Sequence, residues 1–146
     1  MPEINVNMVA VLIAVVVNFF FGFIWYTPLF GKTWAREMGL DPDKKPSSGA
    51  MAGGMIAMVI GQFLFAWVLA NNMAAYNPET WGFPPNENPP MAVAGMAAFF
   101  TWLGFFLPVD IGVVTWEQKS WKLFGINTGY HFLTLLIAAS IIALMP

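Results

Sequence analysis

Four long apolar stretches occupy most of this 146-residue chain, and the charged residues lie mainly in the segments between them. The stretches are residues 4–25, 50–70, 91–114 and 123–145, each about 21–24 residues long. An α-helix rises about 1.5 Å per residue, so about 20 apolar residues cross a hydrocarbon core of about 30 Å. Lipid offers the backbone no hydrogen-bond partners, and stretches of this kind therefore form helices. The sequence predicts an all-α polytopic membrane protein, a bundle of four transmembrane helices that forms a single domain over residues 1–146.

The composition excludes several classes of function. Charged residues make up 10% of the chain and hydrophobic residues 58%, whereas an average soluble domain has about 25% charged residues. The chain has no cysteine and one histidine, which excludes disulfides, thiolate catalysis and a metal site built from several histidines. It has no basic stripe that could follow nucleic-acid phosphates and no recognisable catalytic motif. We therefore predict no nucleic-acid partner, no metal site and no enzymatic activity.

The basic residues predict the orientation of the bundle. All six lie in two alternate loops, residues 26–49 and 115–122, whereas residues 71–90 contain none. Loops rich in Lys and Arg stay in the cytoplasm. We therefore expect residues 26–49 and 115–122 to be cytoplasmic, and both termini and residues 71–90 to lie outside. An inner (plasma) membrane of a bacterium is the expected location.

A short interfacial helix is predicted after the first span, over residues 29–38. Phe30, Trp34 and Met38 share one face of this segment, and its basic residues share the opposite face. Such a helix lies with its apolar side at the acyl boundary and its basic side toward anionic headgroups. With the rings and bases that flank the last two spans, the predicted headgroup contacts are Lys32, Trp34, Arg36, Trp116, Lys119, Trp121 and Lys122.

Small residues recur every four positions along the second span, at Gly49, Gly53, Ala57 and Gly61. A row of small residues allows a second membrane helix to approach closely. The third span offers a complement in Ala94 and Ala98. The row can serve packing within one bundle, or it can form the seam of a homo-oligomer, and the sequence leaves both interpretations open.

Asp110 is the one acidic residue inside an apolar run, where an ionisable group is costly and is a functional candidate. Two interpretations remain open for it, a role in proton or solute handling and a structural ion pair. The basic residues predicted to be within its reach are Arg36, Lys119 and Lys122.

A polar stripe runs along the last span at Asn127, His131 and Thr134, spaced i, i+4 and i+7, and Asn18 lies in the first span. These residues can hydrogen-bond across the bundle and define its register. With Asp110 they can instead form a polar site for a small solute or a proton. A third interpretation makes His131 an axial ligand of a haem or chlorophyll-type ring.

Two segments carry a family resemblance. Residues 22–34 read GFIWYTPLFGKTW, and residues 124–130 read FGINTGY, with Trp116 and Glu117 shortly before them. This combination resembles the DUF1761 family, a group of small four-span membrane proteins of unknown function. The resemblance implies the four-helix membrane fold and no known activity.

The resulting functional hypothesis is a non-catalytic integral membrane protein. It would act as an accessory or structural subunit of a larger membrane complex or as a homo-oligomer, with membrane lipids and other membrane subunits, or itself, as partners. The alternative is a small transporter or channel whose polar site comprises Asn18, Asp110, Asn127 and His131. A weaker alternative is a pigment- or haem-binding subunit that uses His131, and otherwise no cofactor is predicted.

Overall fold

The computed structural model describes residues 2–146, and every regular element in that range is helical. Two π turns continue longer helices, and a 3₁₀ turn lies in the loop between the second and third spans. In chain order the elements are α1 (Met8–Ile24) with its π turn (Trp25–Leu29), α2 (Gly31–Glu37), α3 (Ser48–Ala75), the 3₁₀ turn (Pro78–Trp81), α4 (Pro90–Thr101) with its π turn (Trp102–Phe106), α5 (Leu107–Thr115) and α6 (Trp121–Leu144).

Four helical stretches within the described range are long and apolar enough to cross a membrane: Met8–Leu29, Ser48–Ala75, Pro90–Thr115 and Trp121–Leu144. The predicted all-α class with four membrane-length helices is confirmed. The first span begins and ends about four residues later than predicted. It begins at Met8 because the Asn7 side chain caps the helix by accepting hydrogen bonds from two backbone N–H groups.

The first span also runs past Pro28, which lies beyond its predicted end at residue 25. The chain forms a π turn there, in which the Phe30 N–H donates to the Trp25 carbonyl 2.9 Å away, five residues earlier. Proline has no N–H to donate and normally interrupts an α-helical ladder. The wider π turn accommodates it without ending the span.

Helix α6 is the centre of the bundle, with α1, α4, α5 and part of α3 packed around it. The apolar core is rich in alanine and occupies the half of the bundle near the chain termini. Its buried residues are Val11, Ala14, Val15, Ala66, Leu69, Ala70, Ala94, Ala98, Leu135, Ala138 and Ala139. Small side chains let the helix backbones approach closely, which is how membrane helices associate.

Contacts at the two ends of the bundle show how the chain is arranged. At one end the Asn7 amide donates to the Met145 carbonyl at 3.1 Å, so the N- and C-terminal segments lie together. At the other end Glu37 and Lys122 are 3.9 Å apart, which brings together the two loops that carry the basic residues. This matches an even number of antiparallel spans. Which end faces the cytoplasm stays a prediction.

The small-residue row of α3 does not pack within the bundle. Gly49, Gly53, Ala57 and Gly61 are all exposed, and a Cβ added at any of these three glycines would meet nothing within 4 Å. The interpretation that they hold this bundle together is therefore wrong. Helix α3 contacts its neighbours mainly through its second half, because the first half diverges from α1 and only 11% of the span is buried.

The predicted complement of that row has a different partner. Ala94 and Ala98 are fully buried, and they belong to α4, which packs chiefly on α6. Their role in close helix packing holds, but their expected pairing with the second span is wrong. The sequence shows that one face of a helix carries small side chains. The lengths of the connections and the position of α6 decide which helix packs on that face.

The short helix after the first span exists, as α2. Its apolar side packs on the bundle, because the Phe30 ring lies 4.6 Å from that of Trp25 and the Trp34 ring 5.9 Å from that of Tyr26. Phe30, Trp34 and Met38 are half-buried, and the position of this side at the acyl boundary stays a prediction. The basic side is exposed, and the other predicted headgroup residues lie at the same end of the bundle. Exposed there are Lys32, Arg36, Trp116, Trp121 and Lys122, and Lys119 is half-buried.

Candidate functional site

Polar and aromatic side chains gather in the half of the bundle near the basic loops, around the first three turns of α6. We call this set the polar cluster. The Ser120 hydroxyl caps α6 by accepting from the Leu123 N–H at 3.1 Å, so the cluster begins within two turns of a well-defined helix start. Its members are Tyr26, Gln62, Asp110, Asn127, Tyr130 and His131.

Asp110 and His131 form the centre of the polar cluster. Asp110 Oδ2 lies 2.8 Å from His131 Nδ1, and Asp110 is only 5% exposed. The predicted pairing of Asp110 with Arg36, Lys119 or Lys122 is therefore wrong. A carboxyl and an imidazole at this distance form a strong bond that ties α5 to α6.

The π turn at the end of α4 explains why Asp110 reaches α6 and not the charged loop. The Leu107 N–H bonds to the Trp102 carbonyl five residues earlier, so the turn holds one residue more than an α-helical turn. One extra residue rotates everything after it by about 100° relative to a regular helix. Pro108 follows directly and lacks an N–H for the regular ladder. The rotation directs Asp110 toward His131.

The His131 ring has an apolar wall on one side and an accessible side on the other. The Phe106 ring lies 4.9 Å from the imidazole, and the His131 side chain is 30% exposed. Nδ1 is occupied by Asp110, and Nε2 has no hydrogen-bond partner within residues 2–146. An imidazole held in this way presents only Nε2 to a ligand or proton donor.

One turn earlier on the same face of α6, the polar cluster joins α6 to the end of α1. The Tyr26 hydroxyl donates to Asn127 Oδ1 at 2.9 Å, and Trp25 Nε1 donates to the Ile126 carbonyl at 3.1 Å. The Tyr26 and Tyr130 rings lie 4.9 Å apart. Residues 22–34 and 124–130, which carry the family resemblance, therefore pack directly on each other.

Gly22 permits this close approach of α1 to α6. A Cβ at Gly22 would lie 2.9 Å from the Tyr130 hydroxyl and would collide with the tip of Met58. The Tyr130 hydroxyl in turn accepts a hydrogen bond from the Gln62 amide of α3 at 3.2 Å. Tyr130 thus connects α6 with both α1 and α3, and any larger residue at position 22 would push these helices apart.

Asn18 and Thr134 lie deeper in the bundle, apart from the polar cluster. The Asn18 amide donates to the Thr134 carbonyl at 3.1 Å, and Asn18 is fully buried. The Thr134 hydroxyl donates to carbonyl groups of its own helix. Asn18 Oδ1 has no partner within the described chain. This contact joins α1 to α6, and no part of it resembles an open solute site.

The four residues of the predicted solute site make three separate contacts, two with other residues and one between two of the four. Asn18 meets Thr134, Asn127 meets Tyr26, and Asp110 meets His131. A cavity of about 260 Å³ lies between α1 and α3, and none of the four lines it. The polar site of the transporter alternative therefore does not lie in this cavity.

Sequence reasoning did not assign Tyr26, Tyr130, Gln62 or Trp25 to a site. Aromatic rings at the end of a membrane span are typical of an interface belt, and the sequence does not distinguish that role from a contact between helices. Their spacing gave one usable signal, because Tyr130 and Asn127 are three residues apart on α6 and so share a face. No group of three or more His, Asp or Glu side chains that could hold a metal ion occurs within residues 2–146.

Comparison with known proteins places the chain in a family. The family model described as a protein of unknown function (DUF1761) matches residues 9–143. No curated protein and no solved structure shows significant similarity to the chain. The match includes both segments that pack together in the polar cluster and covers nearly the whole chain, so the chain belongs to the DUF1761 family.

Proposed function

We propose that this protein is a non-catalytic membrane subunit that assembles with a second transmembrane helix through the outer face of α3. That face is formed by Gly49, Gly53, Ala57 and Gly61. The exposure of this row of small residues on α3, with no neighbour within 4 Å of an added Cβ at its three glycines, is the observation that carries the proposal.

The position of the row on α3 supports assembly. Residues in an α-helix follow each other at about 100°, so the row lies about half a turn away from the buried residues Ala66, Leu69 and Ala70. Helix α3 therefore packs on its own bundle with one side and presents its smallest side chains on the other. A helix that lay only against lipid would gain nothing from that arrangement, since close backbone approach needs a second helix.

Helix propensity gives a second argument. Glycine lowers the stability of a helix interior by up to about 1 kcal/mol relative to alanine. Three glycines on one exposed face are thus unfavourable unless the contact they permit compensates for them. Backbone contact along a small-residue seam supplies that compensation in membrane helices.

The experiment is to measure assembly in lipid with a matched pair of variants. Wild type, Gly53→Leu and Gly104→Leu are extracted from their membrane in mild detergent and examined by native mass spectrometry. Gly104 is an equally exposed glycine of the third span with nothing within 4 Å of an added Cβ, so its substitution is the control. We expect wild type and the control to retain a stoichiometric partner and Gly53→Leu to lose it.

The mass of the complex identifies the partner. A multiple of the chain mass of 16.1 kDa indicates a homo-oligomer, and another mass indicates a larger membrane complex. A monomer in all three samples, or a complex unaffected by Gly53→Leu, would refute assembly through this face.

A second candidate function, handling of a proton or a small solute, is favoured by the Asp110–His131 pair. Ionisable side chains inside membrane spans commonly mark proton or ion pathways. The test is the rate at which a pH gradient dissipates across vesicles that contain wild type, Asp110→Asn or Tyr26→Phe. This function requires that wild type dissipate the gradient and that Asp110→Asn fail to do so. Tyr26→Phe, which removes only a hydroxyl group, should behave like wild type. Equal flux through all three proteins and through empty vesicles would exclude this candidate.

A further inference from the structure

An apolar groove opens between α1 and α3 at the end of the bundle that carries the basic residues. It encloses about 260 Å³. The α1 wall includes Phe19, Phe23 and Tyr26, and the α3 wall includes Met51 and Met55. Pockets for drug-sized ligands usually measure about 300–1,000 Å³. The volume of this groove is smaller than that range and suits part of a flexible hydrocarbon chain.

The groove exists because the two helices separate toward this end. Near the other end α3 contributes Leu69 and Ala70 to the buried core, whereas its first half is exposed. Gly54 lines the opening, and a Cβ there would have no neighbour within 4 Å. The tip of Met58 lies over Gly22 and bounds the groove at its narrow end. Methionine side chains are flexible and adapt their shape to an apolar guest.

The mouth of the groove is positively charged. Helix α3 begins at Ser48, one turn before Met51, and its first turn contains no acidic residue. The first N–H groups of a helix have no intrahelical partners and carry the positive end of its dipole. Lys44 and Lys45 precede this helix start and are exposed, and neither forms an ion pair within residues 2–146.

Helix α2 follows the groove residues of the first span directly in the chain. Lys32 follows the groove residue Thr27 by five positions and is exposed. The nearby acids include Glu37, which pairs with Lys122, and Asp41, whose carboxylate already accepts the Asp43 N–H at 2.9 Å. Asp43 is exposed as well, and its carboxylate forms no ion pair within residues 2–146. Residues 26–49 contain four basic and three acidic side chains, so the net charge of this loop is positive by one.

We propose that this groove binds an anionic phospholipid, with one acyl chain between α1 and α3 and the phosphate at the start of α3. The site combines an apolar groove with exposed basic side chains and with the first N–H groups of α3, those of Ser48 and Gly49. The next N–H, that of Ala50, is already capped by the Ser47 hydroxyl at 3.2 Å. A zwitterionic lipid would satisfy the groove and not the excess positive charge at its mouth. The groove faces away from the outer face of α3, so this inference does not depend on assembly through that face.

Competition between two lipids tests the proposal. The purified full-length protein is exchanged into equal amounts of dioleoyl phosphatidylglycerol and dioleoyl phosphatidylcholine, and the retained lipid is identified by native mass spectrometry. We expect one retained lipid per chain, with phosphatidylglycerol preferred. The double variant Lys44→Gln/Lys45→Gln should lower this preference about 30-fold, which corresponds to about 1 kcal/mol for each of two basic side chains near the headgroup.

Two further variants separate the groove from ordinary surface lipid. Gly54→Leu fills the groove without touching the packed core, and it should abolish retention of the lipid. Gly104→Leu adds the same side chain at an exposed glycine of the third span and should leave retention unchanged. Met55→Phe, which narrows the groove from its flexible side, gives an independent check if Gly54→Leu alters the melting temperature.

Equal retention of both lipids by wild type would overturn the anionic assignment. Retention that survives both Gly54→Leu and Met55→Phe would overturn the groove as the site. A preference unchanged by Lys44→Gln/Lys45→Gln would overturn the placement of the phosphate.

Discussion

Removing one partner of the Asp110–His131 pair should have a different effect depending on which partner is removed. In His131→Leu, Asp110 stays 5% exposed and loses the imidazole 2.8 Å away. A carboxylate at the centre of a membrane helix costs about 2.5–3.5 kcal/mol on insertion scales. Asp110 lies five residues before the end of α5, closer to the interface than the centre, so we expect a loss of about 2 kcal/mol.

In Asp110→Leu the remaining group is an imidazole whose side chain is 30% exposed. The loss is then that of one hydrogen bond between membrane helices, about 0.6–1.7 kcal/mol, partly offset by the added apolar surface. We expect a loss of about 0.5 kcal/mol. His131→Leu should therefore be less stable than Asp110→Leu by more than about 1 kcal/mol.

The double variant Asp110→Leu/His131→Leu leaves no unpaired group and should be more stable than His131→Leu. Residues in direct contact typically show coupling energies of about 0.5–3 kcal/mol in such cycles. The free energy of unfolding is measured by titration from mild detergent into SDS, followed by tryptophan fluorescence. Val109→Leu, at an exposed position beside Asp110, is the control. Equal losses in the two single variants, or additive losses in the double variant, would refute a buried carboxyl stabilised by His131.

Three further predictions concern packing, topology and cofactors. Gly22→Leu should destabilise the bundle by about 1–3 kcal/mol, because its Cβ would lie 2.9 Å from the Tyr130 hydroxyl. Gly104→Leu should change stability little, and similar unfolding curves for the two variants would contradict the tight contact. Single cysteines at Asp43 and Glu87 should react with a membrane-impermeant reagent from opposite sides of sealed vesicles, and labelling from one side would overturn the four-span topology. The purified protein should show no absorbance above about 300 nm beyond the aromatic tail, since His131 would be a lone axial ligand; a Soret band lost in His131→Leu would establish a haem-type ring.

The contacts of the polar cluster show where prediction from the sequence stops. Asp110 was recognisable as unusual because one carboxylate interrupts an apolar run. Its partner was not predictable, since a π turn four residues earlier rotates the helix and directs the carboxyl toward His131. Nothing in the local composition distinguishes this turn from regular helix. The role of Tyr26 was missed for a related reason, because an aromatic ring at the end of a span suits an interface and a helix contact equally well.

The small-residue faces show the same limit. Ala94 and Gly53 both lie on rows of small residues that permit close helix contact, and the sequence alone does not separate them. In the fold Ala94 is fully buried on α4, which packs on α6. Gly53 is exposed on the side of α3 that points away from the core. Which row already packs against another helix depends on how closely each helix approaches the rest of the bundle. This is a property of the packing of all the helices together.

The sequence by itself determined the number of membrane-length helices, their approximate bounds and the loops that carry the basic residues. These features follow from hydropathy and charge, because the preference of each residue for lipid or water depends mainly on its own side chain. Only the tertiary structure decided that α6 is the central helix, that Asp110 meets His131 and that α3 leaves its glycine row and a groove beside α1 uncovered. Those outcomes depend on helix rotation and separation. One extra residue in a turn changes the rotation of a helix, and one glycine beside a tyrosine changes the separation of two helices. Neither alters the average polarity of the segment, so hydropathy does not reveal them.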